Sequence, residues 1–201
     1  MSPAAEPKQE RARRTRQALL RAAAEAFAEN GYQATSMNDI AARAEMAKGA
    51  LTFHFPSKAA VAAAVIESFY DRWPPVAQRL RAEHASPLET VWSLLSHLAG
   101  GFREDALVRA AVRLQGETNL IDAPLPAPYR DWTDLLAGLY GEAEAAGELR
   151  PGIDPAELAR ITVAAFFGVQ HISQAQTGRA DLGERVEELL RLLRPAVTAS
   201  G

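Results

Sequence analysis

Residues 31–58 read GYQATSMNDIAARAEMAKGALTFHFPSK, and this stretch decides the fold of the N-terminal part of the chain. Ser36 is placed to cap a short helix, with Asp39 in the positive first turn of that helix. A second short helix is predicted over residues 47–53, before a proline interrupts it. A longer helix over residues 10–29 precedes both. Two short helices joined by a tight turn and supported by a third predict a helix-turn-helix, whose second short helix is the one that enters a DNA groove.

The same block resembles the helix-turn-helix of the TetR family of bacterial repressors. The resemblance is carried by six spaced motifs: Gly31-Tyr32, Thr35-Ser36, Asp39-Ile40-Ala41, Lys48-Gly49-Ala50-Leu51, Phe53-His54-Phe55 and Ser57-Lys58. It implies an all-α fold with two domains. Residues 1–58 are expected to form an N-terminal arm and a three-helix DNA-binding domain, and residues 59–201 a helical domain for ligand binding and dimerisation.

Small and polar residues in this block suit contact with DNA. Gly49 and Ala50 let the helix approach base edges and thymine methyl groups, while Lys48 reaches a guanine or a phosphate. Thr35 and Ser36 offer hydroxyl groups and a helix N-terminus to a phosphate oxygen. The predicted DNA-contacting residues are Arg14, Thr35, Ser36, Lys48, Gly49, Ala50, Thr52, His54 and Lys58. Five apolar residues are predicted instead to pack among the three helices: Ile40, Ala41, Leu51, Phe53 and Phe55.

Three positions depart from the family pattern. Glu45 stands where the turn between the short helices commonly has glycine, and Ala47 stands where serine or threonine usually caps the recognition helix. Thr52 stands where a phosphate-contacting tyrosine is usual. A carboxylate near DNA repels phosphate, and a missing cap costs about 1 kcal/mol. We therefore expect DNA binding that is weaker than typical or that relies more on the arginines of the N-terminal arm.

The basic character of the N-terminal part is hidden in the total charge of −3. Residues 1–58 carry nine lysine or arginine residues against six acidic residues, a net charge of +3, so residues 59–201 carry −6. Basic arms of this kind commonly meet phosphate, and a solvated helix face is the alternative interpretation.

Composition sets the broad class of the protein. The chain has 201 residues, 48% of them hydrophobic, which is enough for one large or two small cores. It has no cysteine, which excludes disulfides, thiolate metal sites and cysteine nucleophiles. Since no apolar run suits a signal peptide or a membrane span, we expect a cytoplasmic protein with no membrane partner.

The rest of the chain also has helical periodicity, with no sustained alternation of the kind that predicts strands. Trp73-Pro74-Pro75 is predicted to kink or end the helix that begins at Lys58. Residues 122–128 hold three prolines and are predicted to form a rigid loop. Further helices are predicted to begin at Ser86-Pro87, at about Tyr129, at Asp154-Pro155 and at about Leu182.

The last two predicted helices indicate a homodimer. The helix that follows Asp154 is apolar nearly all round its axis, so it needs cover on both sides. The helix over residues 182–193 carries one apolar stripe. The two helices are predicted to form a four-helix interface with a second copy, and packing within one chain is the alternative.

Beyond the helix-turn-helix, the chain resembles the γ-butyrolactone receptor group of the same family. This resemblance is carried by Phe69-Tyr70-Asp71-Arg72-Trp73-Pro74, Arg113-Leu114-Gln115, Leu120-Ile121-Asp122, Pro128-Tyr129-Arg130-Asp131-Trp132 and Ala165-Phe166-Phe167-Gly168-Val169-Gln170-His171. It implies a small hormone-like ligand, a lactone, butenolide or furan, that releases promoters of antibiotic biosynthesis genes. The pocket tryptophan of that group falls on Trp132.

The residue chemistry favours the same kind of ligand. Tyrosine and tryptophan offer a flat apolar wall with one hydrogen-bonding group each, and a glutamine offers both a donor and an acceptor. The predicted polar contacts are Tyr70, Gln115, Tyr129, Trp132 and Gln170, with Phe166 and Val169 as walls. The alternative is that these aromatic residues belong to the ordinary core or to an interface.

These observations predict a two-state regulator of transcription. The free dimer matches two successive major grooves of a pseudo-palindromic operator, and ligand bound beneath the helix that begins at Lys58 favours a spacing that does not fit. A pseudo-receptor that binds DNA without responding to the lactone is the alternative. Activation in place of repression also stays open.

An enzyme is the rival class, and its usual motifs are absent from the sequence. There is no Gly-x-Gly-x-x-Gly, Gly-x-Ser-x-Gly or His-Glu-x-x-His pattern. None of the four histidines has a glutamate three residues before it, which argues against a di-iron site. We expect no catalytic residue, metal or cofactor.

Overall fold

The computed structural model describes residues 8–84, 86–127 and 129–199. Over these residues the chain forms ten α-helices and one short 3-10 turn, with no strand, so the all-α prediction is confirmed. The helices are α1 (Lys8–Ala34), α2 (Met37–Arg43), α3 (Lys48–His54), α4 (Lys58–Tyr70), α5 (Trp73–Glu83), α6 (Pro87–Glu104), α7 (Ala106–Gly116), α8 (Arg130–Ala145), α9 (Pro155–Thr177) and α10 (Leu182–Val197). The 3-10 turn spans Thr118–Leu120.

The chain divides into two compact units, which interleave along the sequence. The first unit comprises the described residues up to 69 together with 106–125, and the second comprises 70–105 and the residues from 126 onward. Helix α7 therefore belongs with the N-terminal helices. The boundary between residues 58 and 59 was predicted from function, differs from this division into packing units, and stays a prediction. The first seven residues of the predicted arm lie outside the described residues.

The first unit is built around α1. Leu19 and Phe27 of α1 are fully buried, and α7 packs along this helix. The backbone of α1 leaves helical geometry at Gly31, whose φ of 77° lies in the left-handed half of the map. The predicted stop at residues 30 and 31 is thus a break, after which one further turn continues to Ala34.

Side-chain caps set the starts of α2, α4, α6 and α9, as the sequence predicts. Ser57 Oγ accepts a hydrogen bond from Ala60 N at 3.1 Å at the start of α4, and Ser86 Oγ accepts one from Glu89 N at 3.2 Å at the start of α6. Asp154 does the same for Glu157 N at 2.6 Å before α9. Because each contact joins residues three apart, sequence spacing alone predicts it.

The second unit packs α8 against α6 and α9. Trp92 of α6 and Tyr140 of α8 meet edge to face at 6.3 Å, and the Tyr140 hydroxyl lies 3.0 Å from that of Thr162 on α9. Helix α4 ends at Tyr70, so the predicted break near Trp73 is confirmed, and the proline pair lies in the first turn of α5, a helix start that was not predicted. The proline-rich loop has no helix over residues 121–127, and its last residue, Pro128, lies outside the described residues. Helix α7 was not predicted, and α10 runs four residues further than predicted.

Helices α9 and α10 leave apolar side chains uncovered. Among the described residues, five large apolar side chains are exposed, and three of these lie here: Ile161 (52%), Ile172 (49%) and Leu192 (72%). Ala164 and Gly168, between the two isoleucines, are exposed as well. The single chain thus covers only part of the apolar surface of α9, and the sequence predicts that this helix needs cover on both sides.

Candidate functional site

A capping box holds the start of α2. Ser36 N donates to Asp39 Oδ2 at 2.8 Å, and Asp39 N donates to Ser36 Oγ at 3.2 Å. Hydrogen bonding to the Asp39 carboxyl from the side chain and then from the backbone amide of Ser36 lowers the pKa of that carboxyl. The predicted cap is confirmed, and it fixes the angle at which the chain enters the helix pair.

The turn between α2 and α3 contains two of the unusual residues. Glu45 adopts a φ of 54°, a left-handed conformation that glycine takes at no steric cost. Ala47 is the N-cap of α3 and provides no side-chain hydrogen bond. The turn is closed instead by backbone hydrogen bonds, from Glu45 N to Ala42 O and from Met46 N to Ala41 O, both 3.0 Å.

The solvent-facing side of α3 carries one positive charge beside a glycine and a threonine. Lys48, Gly49 and Thr52 are exposed, and a Cβ built on Gly49 would meet nothing within 4 Å. Leu51 is fully buried and anchors the helix. Ala50 and His54 are half-buried. Because Gly49 has no side chain, this face can closely approach a surface that carries both apolar and polar groups.

Phe53 corrects one sequence prediction. It was predicted to pack among the three helices, but its side chain is 83% exposed and lies edge to face with the His54 ring at 5.2 Å. The other four residues of that predicted set are buried: Ile40, Ala41, Leu51 and Phe55. The phenylalanine belongs to the outer face of α3. In the sequence, its position between the polar residues Thr52 and His54 is consistent with this exposure.

Thr35 does not offer its hydroxyl to a phosphate. It is 1% exposed, and its Oγ1 donates to Gly31 O at 2.8 Å and to Ala26 O at 3.3 Å. The break at Gly31 makes these carbonyls available inside the fold, so the hydroxyl satisfies them. Ser36 is exposed, although its hydroxyl oxygen serves the capping box.

Lys58 is engaged within the protein. Its Nζ donates to Tyr32 O at 2.8 Å and lies 4.3 Å from the centre of the Tyr32 ring. The contact ties the start of α4 to the end of α1. The structure thus assigns Lys58 a structural contact, where the sequence predicts a phosphate clamp. Arg14 is exposed on α1.

Two charged residues near the end of α7 hold the same corner of α1. Tyr32 N donates to Glu117 Oε2 at 2.6 Å, and Arg113 Nη1 donates to Ala28 O at 3.1 Å and to Glu29 O at 3.0 Å. These carbonyls end the helical part of α1, so the guanidinium satisfies acceptors that the helix leaves open. A side chain at Gly31 would lie 2.7 Å from Glu117 Oε1. We call Arg113 and Glu117 the α7 clamp.

The predicted ligand residues Tyr70 and Tyr129 are brought together in the second unit. Tyr129 N donates to the Tyr70 hydroxyl oxygen at 3.0 Å, and Tyr129 adopts a φ of 61°. Burial raises the pKa of Tyr70 to about 12, although this hydrogen bond opposes the shift. The phenol is therefore a neutral donor and acceptor near pH 7.

An aromatic cluster packs against Tyr129 of this pair. The Tyr129 ring lies 4.7 Å from Phe167, which lies 5.5 Å from Phe166, and Phe102 lies 6.2 Å from Phe166. Trp132 is 2% exposed and lies 5.0 Å from Trp73. Phe102, Phe167 and Trp73 were not predicted as site residues, although Phe167 and Trp73 stand inside the motifs that carry the family resemblance.

Of the other predicted ligand residues, Gln170 is joined to the aromatic cluster through Arg179, whereas Gln115 lies in the first unit. Gln170 is buried, and its Oε1 accepts from Arg179 Nε at 3.2 Å, with the Arg179 guanidinium 5.1 Å from the Phe102 ring centre. Val169 is half-buried. Gln115 is buried in the first unit, where its Nε2 lies 3.4 Å from Ala111 O.

The described residues include neither a cluster suited to a metal ion nor a single helix suited to span a membrane. No group of three or more histidine, aspartate or glutamate side chains there is arranged to hold a metal ion. No single helix there is long and apolar enough to cross a membrane, while the bent pair Lys48–His54 and Lys58–Glu83 meets that test of length and composition.

Two family models match the chain. The model described as bacterial regulatory proteins of the tetR family matches residues 19–65. The model described as the tetracyclin repressor-like C-terminal domain matches residues 85–198. The first match covers the helix-turn-helix and the second covers most of the remaining helices.

Similar proteins include regulators with named ligand classes. The chain is 34% identical over 194 residues to the A-factor receptor protein of Streptomyces griseus, covering 96% of this chain and 67% of that protein. A structure from work on the molecular basis for control of antibiotic production by bacterial hormones is 48% identical, with a TM-score of 0.89, covering 92% of this chain and 98% of the other. The crystal structure of a gamma-butyrolactone receptor is 26% identical, with a TM-score of 0.79, covering 94% and 90%.

Proposed function

The chain belongs to the TetR family of bacterial regulatory proteins, and we propose that it is a repressor that binds a pseudo-palindromic operator as a dimer and is released by a γ-butyrolactone, butenolide or furan. The observation that carries the proposal is the exposed face of α3 beside a capped α2, in a chain similar to hormone-controlled regulators. Such a protein works in the compartment of the chromosome, so we place it in the cytoplasm.

The DNA contact is assigned to α3. Lys48 is exposed at the start of the helix, where its ammonium reaches a guanine or a phosphate. Gly49 leaves the backbone bare for close approach, and Phe53 adds an apolar surface suited to thymine methyl groups. Because Thr35 and Lys58 are engaged inside the fold, the exposed residues of α3 and the arginines of α1 carry the contact.

The ligand is assigned to the aromatic cluster of the second unit. Tyr70, Tyr129 and Trp132 offer few hydrogen-bonding groups within a large aromatic surface, which suits a small ligand with one or two polar atoms. The A-factor receptor and the gamma-butyrolactone receptor among the similar proteins support the same ligand class.

The dimer is assigned to α9 and α10. Their uncovered residues include Ile161, Ile172 and Leu192, and the small Ala164 and Gly168 allow two helices to approach closely. Pairing with a second copy through a two-fold axis gives a four-helix interface that buries this surface. The pairing sets the distance between the two α3 helices, which must match successive major grooves.

Coupling between ligand and DNA is assigned to α7. Arg113 and Glu117 lie four residues apart and hold the end of α1, while Gln115 lies on the opposite side of α7. A displacement of α7 would move the carbonyls and the amide that the clamp holds. By linkage, a ligand that weakens DNA binding by some factor must bind the free protein more tightly than the DNA-bound protein by the same factor.

The first experiment is an electrophoretic mobility shift of the purified protein on DNA flanking its own gene, with competitor DNA. The shift is then repeated with a panel of γ-butyrolactones, butenolides and furans. A specific shift that one ligand class abolishes supports both halves of the proposal. A specific shift that none affects points to the pseudo-receptor alternative, and no specific shift contradicts DNA regulation.

Buried tryptophans allow a matched test of the ligand site. Trp132→Phe is expected to keep the shift and lose ligand release, because it removes the indole N–H and part of the wall while leaving an aromatic ring. Trp92→Phe is the control, since Trp92 is equally buried but stacks on Tyr140. Equal loss of ligand release in both variants would indicate general destabilisation and contradict a direct role for Trp132.

A further inference from the structure

Three of the arginines on α1 form one face of that helix. At about 100° per residue, Arg11, Arg14 and Arg21 fall within an arc of about 80° around the axis. All three are exposed, and α1 is already helical from Lys8. The basic segment therefore presents these arginines in a row along one side of a continuous helix, over its described length. We call these three residues the arginine face.

The arginine face lines an open groove at the helix-turn-helix. The groove has a volume of about 620 Å³, and Thr15, Gln17 and Met46 lie along it with the three arginines. Met46 belongs to the turn that leads into α3. None of the described lining residues is acidic, and the nearby Glu10 carboxylate, which also interacts with the charge of Arg14, is held by Arg13.

The other two arginines of the segment are engaged elsewhere. Arg13 Nε donates to Glu10 Oε2 at 3.0 Å, and the Arg16 guanidinium lies 5.0 Å from the centre of the Phe55 ring. Both residues lie outside the arc of the arginine face. The five arginines between residues 11 and 21 thus divide into a structural pair and a group that shares one groove.

We propose that the arginine face binds consecutive backbone phosphates of duplex DNA beside the half-site that α3 occupies. The inference rests on the proposed function, because α3 must dock on DNA for the groove to meet the backbone. Arg11 and Arg21 are separated by about 15 Å along α1, and the same length measured along the duplex axis contains about four phosphates of one strand. The contact positions the protein and reads no bases. It supplies affinity that Ala47 and Thr52 do not.

The test is the salt dependence of DNA binding by the full-length protein. Fluorescence anisotropy gives Kd on two labelled 30-bp duplexes, one from the shifted promoter fragment and one of scrambled sequence, from 50 to 200 mM NaCl. The variants are Arg11→Ala, Arg14→Ala, Arg21→Ala and the triple variant. Arg13→Ala is the matched control, and Arg14→Lys keeps the charge. Circular dichroism checks that each variant is folded.

Each single alanine variant is expected to reduce the magnitude of the slope of log Kd against log salt by about 1 per subunit, or about 2 for a dimer with both subunits engaged. The reduction is expected on both duplexes, since phosphate contacts are independent of sequence. Arg13→Ala and Arg14→Lys should keep the wild-type slope.

Two results would overturn the inference: a triple variant with the wild-type slope, or a change confined to the promoter duplex. The proposed function fails separately, if the wild-type protein binds both duplexes equally. In that case the slopes on the scrambled duplex still decide the role of the arginine face. A wild-type protein that binds neither duplex contradicts both.

Discussion

Glu117 and Tyr32, 85 residues apart in sequence, are joined by a hydrogen bond of 2.6 Å from the Tyr32 backbone amide to the Glu117 carboxylate. The amide lies directly after the break at Gly31, where the helix provides no acceptor for it. The contact fixes the end of α1 and hence the start of the helix pair.

Glu117→Ala is expected to lower the free energy of unfolding by about 1 to 3 kcal/mol, because it leaves the Tyr32 amide without its acceptor. Urea unfolding followed by circular dichroism measures the loss. Glu117→Gln keeps an acceptor oxygen and should lose less. Glu144→Ala, at an exposed helical position, is the control, and equal effects of the two alanine variants would contradict the clamp.

Gly31→Ala is expected to lower stability by about 1 to 3 kcal/mol. The backbone of Gly31 has a φ of 77° and a ψ of −177°, a conformation that suits glycine alone. The Cβ of an alanine there would lie 2.7 Å from Glu117 Oε1. Gly138→Ala in α8 is the control, since a Cβ there meets nothing within 4 Å and alanine favours a helix by up to about 1 kcal/mol. A Gly31→Ala protein with wild-type stability would show that this corner rearranges freely.

Phe53→Ala and Leu51→Ala compare an exposed and a buried apolar residue of α3. The first is expected to change the free energy of unfolding by less than about 0.5 kcal/mol but to weaken operator binding, because the ring is exposed. The second is expected to cost about 2 to 5 kcal/mol, because Leu51 is fully buried. Urea unfolding and anisotropy on the promoter duplex measure the two effects. Similar destabilisation by both variants would return Phe53 to the core.

Leu192→Glu is expected to convert the proposed dimer to a monomer, since it places a charge on the uncovered apolar surface of α10. Light scattering after size exclusion should give a mass close to 21.7 kDa for the variant and about twice that for the wild type. Leu120→Glu, at a side chain that is 40% exposed on the 3-10 turn, is the control and should stay dimeric. A dimeric Leu192→Glu protein would place the interface elsewhere.

Tyr140 gives a prediction for alkaline pH. Burial raises its pKa to about 12, with the Thr162 hydrogen bond opposing the shift, whereas an unfolded tyrosine ionises near about 10. The folded protein therefore holds the phenol proton more tightly than the unfolded protein does. The contribution of Tyr140 to the free energy of unfolding is fully present below about pH 10 and falls as the pH rises towards 12. Tyr140→Phe should flatten this fall.

Absorbance at 295 nm provides the direct measurement of the same group. Tyr140→Phe should remove a tyrosinate signal that appears near pH 12 in the folded protein. Loss of a signal centred near pH 10 instead would mean that the buried phenol is accessible to hydroxide.

The sequence by itself determined the class of fold and most helix starts. Ser36 with Asp39, Ser57, Ser86 and Asp154 all cap helices where the spacing predicts, because a cap joins residues only three apart. The spaced motifs from Gly31 to Lys58 also identified the family, since they combine a turn, two caps and an apolar anchor in one register.

Only the tertiary structure decided which side chains of the helix-turn-helix are available to DNA. Thr35 and Lys58 have the right chemistry for phosphate, but carbonyls released by the break at Gly31 engage both. Phe53 has the apolar side chain of a core residue, but it lies on the exposed face of α3. The α7 clamp and the arginine face depend on side-chain direction and on partners far away in sequence. Helical spacing places the three arginines in one arc, but packing between helices sets the groove that they line and the partners of the α7 clamp.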